Sequence, residues 1–259
     1  MSVLAFLEQA ETAPAVLAAA RRLAMAQPDA AVSALAVRMP PESTIMPTEE
    51  ILTAAQAARI EAEEAERVAP LRHLAGAAGM AWEDVEGMTD AVVAAHAEAA
   101  AFVVLARPRN GDAAARAAIH AALFEAHRPV LMVPPQAGPF GRIIAVAWRP
   151  GPSAEQAVQA ALPLLTRADA VHVLAGVRDN AMPVLPPALA AHGIAAELHT
   201  LPIGNPPFGA DLLARAHACG ADLLVMGAFV RRPFSEWLPG GVTRYMLTHA
   251  DLPVLMQHA

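Results

Sequence analysis

The residues whose types and spacing are best suited to chemistry lie near the C-terminus, in residues 221–256. The apolar run at 223–226 is typical of a parallel strand that is covered on both faces, and a glycine ends it. After a long loop, a glycine pair opens a helical segment, and the first N–H groups of a helix attract anions. The spacing therefore predicts a phosphate-binding corner. Its candidate ligand-binding residues are Gly227, Gly240, Gly241, Val242, Thr243 and Arg231.

Two of these residues have a second interpretation. Thr243 could lend a hydroxyl to a ligand, but a threonine in the first turn of a helix usually bonds its own backbone. Arg231 could contact an anion or simply give the loop a charge.

We expect neither catalytic residues nor a metal site. Common hydrolase, nucleoside-triphosphatase and zinc-protease signatures are absent from the sequence. His249 and His258 flank the last apolar run, but neither stands at ligand spacing from Cys219.

The corner belongs to a unit that occurs twice. The sequence Pro-Val-Leu-Met at 253–256 recurs at 129–132, each time after a short helical segment. We therefore predict a domain at 1–135, a linker at 136–141 and a second domain at 142–259. Because an apolar edge strand must be covered, we predict that the two closing strands lie against each other.

Strands and helices alternate along both halves. In the second half, strands are predicted at 142–148, 170–177 and 194–201, with an amphipathic helix at 153–167 that Ser153 would cap. Another helix, at 208–218, should end at Gly220. The first half follows the same order with weaker signals, among them a long acidic helix from about 48 to about 75. This alternation predicts an α/β fold of two tandem doubly wound domains, each a five-stranded parallel sheet with helices on both faces.

The motif VMGAFVRRPFSEWLPGGVTRYML, the two-copy layout and the PVLM strands resemble the universal stress protein family, in its tandem two-domain bacterial form. The resemblance is specific in the second half and rests on layout in the first. It implies that the closing strands pair in an antiparallel, roughly twofold arrangement and, in one subgroup, that ATP is bound by a G-x2-G-x9-G-S/T loop.

The match to that loop is incomplete. Gly227 and Gly240 fit their positions, whereas Val230 replaces the second glycine and Gly241 replaces the hydroxyl residue. The family also implies an aspartate at the end of the first strand. Here residues 148–150 contain no carboxylate, and Glu8 is the nearest candidate in the first half.

Composition limits the functions further. The net charge is −7, with ten arginines against 17 acidic residues up to residue 135 and eight of each after it. Neither half offers the basic face that nucleic-acid binding needs. We expect no membrane span, because no long stretch is free of charges and breakers. The first residues lack a basic region typical of a secretory signal, and one cysteine excludes internal disulfides, so we expect a cytoplasmic protein.

The sequence thus predicts a noncatalytic stress-response or regulatory binding protein with a degenerate nucleotide site. The alternative is an ATP-binding protein that hydrolyses ATP slowly at the second-domain corner. No cofactor is expected, unless ATP binds in the second domain. The expected partner is another protein or a small anionic ligand, and the chain should be a pseudo-dimeric monomer or a homodimer.

Overall fold

The computed structural model describes residues 2–27, 30–41, 53–109, 111–178, 182–203, 208–228 and 241–259. Strands and helices alternate through these residues. In chain order they are β1 (Ser2–Phe6), α1 (Ala13–Met25), β2 (Ala31–Arg38), α2 (Ala54–Ala77), β3 (Ala81–Glu86), α3 (Thr89–Ala97), β4 (Phe102–Ala106), α4 (Ala113–His120), β5 (Val130–Val133), β6 (Ile143–Trp148), α5 (Pro152–Leu165), β7 (Ala170–Val177), α6 (Pro187–Ala191), β8 (Glu197–Pro202), α7 (Phe208–Ala218), β9 (Leu223–Gly227), α8 (Gly241–His249) and β10 (Val254–Gln257). A π-helical turn, Ala121–Glu125, extends α4.

Capping chemistry sets several helix ends. The long helix α2 begins after Thr53, whose hydroxyl accepts from the N–H of Gln56 while the Gln56 side chain accepts from the N–H of Thr53. The part of the predicted helix before Thr53 lies outside the described residues. At the end of α7, Gly220 adopts φ +69°, which confirms the predicted glycine stop.

The predicted Ser153 cap is wrong. Helix α5 begins at Pro152, and Gly151 stands in the N-cap position without a side-chain bond. The Ser153 hydroxyl instead accepts from the N–H of Ala259, at 3.2 Å. A proline at the first helical position starts the helix one residue earlier, because its fixed φ suits the helix and its missing N–H costs nothing there.

The ten strands in the described part of the chain form one sheet, in the order β3-β2-β1-β4-β5-β10-β9-β6-β7-β8. Each half is five parallel strands, and the halves join where β5 and β10 pair in antiparallel fashion. Leu131 lies opposite Leu255, and both are completely buried. The predicted pairing of the closing strands is confirmed, and it merges two five-stranded sheets into one.

Helices cover both faces of this sheet. Helices α1, α2, α5 and α6 contribute to the apolar core on one face, and α3, α4, α7 and α8 contribute to the core on the other. This arrangement is the predicted doubly wound α/β fold, present once in each half. None of the helices within the described ranges has an apolar stretch long enough to cross a bilayer.

The segment between β5 and β6 is packed against the protein at its C-terminal end. Phe140 is buried, and the Arg22 guanidinium of α1 donates to its carbonyl and lies 5.6 Å from its ring centroid. The Asp222 carboxylate, just before β9, accepts from the N–H groups of Gly141, at 2.6 Å, and Arg142. These contacts fix the entry to β6, while the domain boundaries at 135 and 142 stay predictions.

Candidate functional site

The candidate site is the crevice at the carboxyl ends of β6 and β9, which are neighbours in the sheet. Helix α5, which follows β6 in the sequence, packs on one face of the sheet, and α8, which follows β9, packs on the other face. Open parallel sheets bind ligands where adjacent strands diverge in this way. The structure thus places Trp148, at the end of β6, beside Gly227, at the end of β9, where the corner was predicted.

Gly227 serves helix packing. A Cβ atom at this position would lie 2.8 Å from the backbone nitrogen of Ala154 and 3.1 Å from the Cβ of Ser153. Both residues belong to the first turn of α5, and their backbone cannot move away as the end of a flexible side chain can. The glycine is therefore required for α5 to pack against β9.

The first turn of α8 offers one open position. Gly241 is exposed, and a Cβ atom there would meet no described residue within 4 Å. Val242 is half-buried, and Thr243 is only 1% exposed on the face of α8 that packs onto the sheet. The Thr243 side chain consequently faces the core. Gly240 and Arg231 lie outside the described residues.

The end of β6 supplies an aromatic side chain in place of a carboxylate. Trp148 is buried, and its indole Nε1 donates to the carbonyl of Val184 at 2.8 Å. A shallow pocket of about 180 Å³ lies beside it, between α5 and the start of α6. Sites for drug-sized ligands usually measure about 300 to 1,000 Å³, so this pocket suits a small group at most.

The corresponding crevice of the first half, between β1 and β4, contains two acidic residues. Asp112 caps α4 by accepting from the N–H of Ala115 at 2.9 Å. Burial, followed by the charge of Asp112 and a hydrogen bond to it, raises the pKa of Glu8 to about 8. A protonated Glu8 can therefore donate to Asp112 at neutral pH. The helix N-terminus that would attract a phosphate is already capped by a carboxylate.

Arg67 of α2 holds the loop that carries Glu8. Its guanidinium donates to the carbonyls of Glu8, at 2.9 Å, and Val37, at 2.7 Å. It also pairs with Glu64 at 2.8 Å. Burial alone would raise the pKa of Glu64, but the hydrogen bond and charge of Arg67 outweigh it and leave that pKa lowered.

A second cluster lies at the opposite, amino-terminal edge of the strands. His172 on β7, His199 on β8 and Cys219 after α7 bring one donor atom each to within 4.8 Å of one another. Burial raises the pKa of the Cys219 thiol, and nearby charges modify it less. Sequence spacing could not reveal this cluster, because 27 and 20 residues separate its members. The signal that could have found the cluster is the alternation of side chains along paired strands. His172 and His199 are seen to share a face only once β7 and β8 are paired in register.

Comparisons with known proteins agree with this architecture. A family model described as "Universal stress protein family" matches residues 203–258. The structure of a universal stress protein from Archaeoglobus fulgidus DSM 4304 is similar over 99% of this chain and 98% of that one, with a TM-score of 0.70 and 14% identity. The predicted family resemblance is confirmed.

A second solved structure shares the two-part fold. A protein from Pseudomonas aeruginosa PAO1, described as functionally unknown, is similar over 99% of this chain and 92% of that one, with a TM-score of 0.56 and 15% identity. The comparison with curated proteins found no match. The segment that the family model matches contains every predicted ligand residue of the second half. It also contains Cys219, whereas His172 and His199 precede it.

Proposed function

We propose that this chain is a noncatalytic binding protein of the universal stress protein type, which acts in stress response or regulation in the cytoplasm and has a degenerate nucleotide site. The observation that carries the proposal is the poor donor set at the β6–β9 crevice. The position of Gly227 is filled by the packing of α5 against β9, and the Thr243 side chain is buried on the face of α8 that packs onto the sheet. Among the predicted ligand residues that the structure describes, those at the exposed N-terminus of α8 are the main remaining donors for a phosphate.

That attraction is too weak to hold a nucleotide tightly. A helix N-terminus stabilises an anion by roughly 0.3 to 1 kcal/mol when exposed, and by up to about 2 kcal/mol when partly buried. A micromolar complex requires about 8 kcal/mol. The remaining energy would have to come from a hydroxyl and a carboxylate, and residues 148–150 at the end of β6 supply no carboxylate.

The first half makes a still poorer nucleotide site. The carboxylate of Asp112 already caps α4, and Glu8 lies against it. A phosphate entering this crevice would meet negative charge where the family resemblance implies N–H donors. We therefore assign the first half a structural role, as the partner that completes the ten-stranded sheet.

The alternative function is ATP binding with slow hydrolysis at the second-half corner. The open space around Gly241 favours it, because a phosphate oxygen can approach the first N–H groups of α8 without a clash. In this case ATP would be the cofactor, and Gly240, Gly241 and Val242 would contact its phosphates.

The proposed assembly is a pseudo-dimeric monomer. Strands β5 and β10 already cover each other inside one chain, which leaves β3 and β8 as the sheet edges. A homodimer through closing strands would need these buried strands to separate. The proposed ligand is another protein or a small anion, since the net charge of −7 disfavours nucleic acid.

The nucleotide content of the purified chain tests the proposed function. The protein is denatured, and the released material is analysed by absorbance and chromatography, while a parallel sample is assayed for phosphate release from ATP. We expect no stoichiometric nucleotide and no turnover above a blank. One equivalent of ATP or ADP per chain, or phosphate release that Gly241→Val abolishes, would establish the alternative instead.

A further inference from the structure

We propose that His172, His199 and Cys219 form a binding site for a zinc ion, at the edge of the sheet opposite the crevice. The carboxylate of Glu197 is the fourth ligand. This site is independent of any nucleotide, because its residues lie at the amino ends of β7 and β8 and at the C-terminal end of α7.

Two distances between donor atoms fit tetrahedral zinc, and all three donor atoms lie within 4.8 Å of one another. Zinc lies about 2.0 to 2.1 Å from histidine nitrogen and about 2.3 Å from thiolate sulfur, so a tetrahedron places two nitrogens about 3.3 Å apart and nitrogen about 3.6 Å from sulfur. In the structure, Nδ1 of His172 lies 3.1 Å from Nε2 of His199. The same Nε2 lies 3.6 Å from Sγ of Cys219.

The carboxylate of Glu197 lies beside the two imidazoles. One of its oxygens is 3.4 Å from Nδ1 of His172, and the other is 3.7 Å from Nε2 of His199. The Glu197 side chain is 66% exposed and can rotate onto the ion. A thiolate and a carboxylate together balance the two charges of zinc, so the filled site carries no net charge.

The fold holds the ligands in place before any ion binds. His172 is paired with Glu197 across the β7–β8 ladder, and His199 is paired with Leu174. The side chains of His172, Glu197 and His199 therefore stand on one face of the sheet. Helix α7 covers this face and ends one residue before Cys219. The histidine side chains are 14% and 16% exposed, which shields the ligands while leaving a path for the ion.

The chemistry of the donors selects the metal. Two imidazoles, one thiolate and one carboxylate are a borderline-soft set that suits zinc far better than magnesium or calcium, which prefer oxygen ligands alone. Bound zinc would tie the edge strand β8 to β7 and to α7. It would therefore stabilise the outer end of the sheet, and zinc availability would regulate that stability.

Zinc titration of the untagged, chelator-stripped full chain, against a competing chromogenic chelator, tests the site. We expect one zinc per chain. The affinity should fall by more than about 100-fold in Cys219→Ser and in His199→Gln, since losing a ligand costs more than losing a residue that orients one. Glu197→Gln should lower the affinity by a smaller factor, because this side chain is exposed. The control is His192→Gln, an exposed histidine outside the cluster, which should bind zinc as the wild type does. Equal zinc affinity in the wild type and Cys219→Ser would overturn the proposal.

Cobalt substitution keeps the proposal testable if a variant fails to fold. Cobalt in the wild-type site should give a thiolate-to-metal charge-transfer absorption and the intense visible bands of tetrahedral coordination. A cobalt spectrum without the thiolate transition would overturn the proposal. Neither experiment involves nucleotide, so a failed zinc site and a failed proposed function give separate results.

Discussion

The raised pKa of Glu8 makes the stability of this protein depend on pH in a defined direction. Burial and the neighbouring Asp112 raise the pKa of Glu8 from 4.5 to about 8 in the folded chain. Between these two pH values the folded protein keeps a proton that the unfolded chain releases. The free energy of unfolding therefore falls as the pH rises from about 5 to about 8.5. Glu8→Gln removes this loss, because an amide can donate to Asp112 without ionising.

The magnitude follows from the size of the pKa change. At about 1.36 kcal/mol per pH unit, the change corresponds to at most about 4.8 kcal/mol above pH 8. Glu8 is only partly buried, so solvent screening reduces the effect, and we expect about 2 kcal/mol. The free energy of unfolding of Glu8→Gln, relative to that of the wild type, should thus be about 2 kcal/mol higher at pH 8.5 than at pH 5.

Urea unfolding followed by circular dichroism at a series of pH values measures this difference. Glu11→Gln is the matched control, since Glu11 lies on the same loop but is 72% exposed and pairs with Arg109 at the surface. Its stability relative to the wild type should change by no more than about 1 kcal/mol over the same pH range. If the difference between Glu8→Gln and the wild type stays constant from pH 5 to pH 8.5, the reasoning is refuted.

Three further substitutions test the packing that surrounds the crevice and joins the halves. Gly227→Ala should cost about 1 to 3 kcal/mol because its methyl group meets the backbone of α5, whereas Gly76→Ala, in open space within α2, should be neutral or stabilising by up to about 1 kcal/mol. Leu255→Ala, in the antiparallel junction, should cost about 2 to 5 kcal/mol, against less than about 1 kcal/mol for the partly exposed Leu198→Ala. Asp222→Ala should cost about 2 to 3 kcal/mol because it leaves the N–H groups at the start of β6 without their acceptor. Urea unfolding measures all of them, and a Gly227→Ala protein as stable as Gly76→Ala would contradict the packing role of that glycine.

The strands of the core were predictable because burial on both faces leaves a plain signal in the sequence. Apolar runs such as 223–226 and the repeated Pro-Val-Leu-Met segments located β9, β5 and β10, and the need to cover edge strands gave their pairing. The edge strand β3 was harder to recognise. It is half-exposed and contains Glu83 and Asp84, whose side chains form local ion pairs rather than pack in the core.

The site was less predictable than the fold. The sequence does not distinguish a strand-end glycine that lets a phosphate approach from one that lets a helix pack closely. Only the position of α5 shows that Gly227 is needed for packing. The protonated Glu8 and the histidine–cysteine cluster depend on contacts between distant segments, which spacing along the chain does not encode.

The central proposal, that the described residues of the second-half crevice do not supply the donors for tight nucleotide binding, is tested most directly by calorimetry. The full chain is titrated with ATP and magnesium at neutral pH, beside Gly240→Val, which would block the helix N-terminus to phosphate. No binding heat at millimolar ATP, in either protein, is the predicted result. Micromolar affinity in the wild type that Gly240→Val abolishes would contradict the claim and identify the chain as a nucleotide-binding protein.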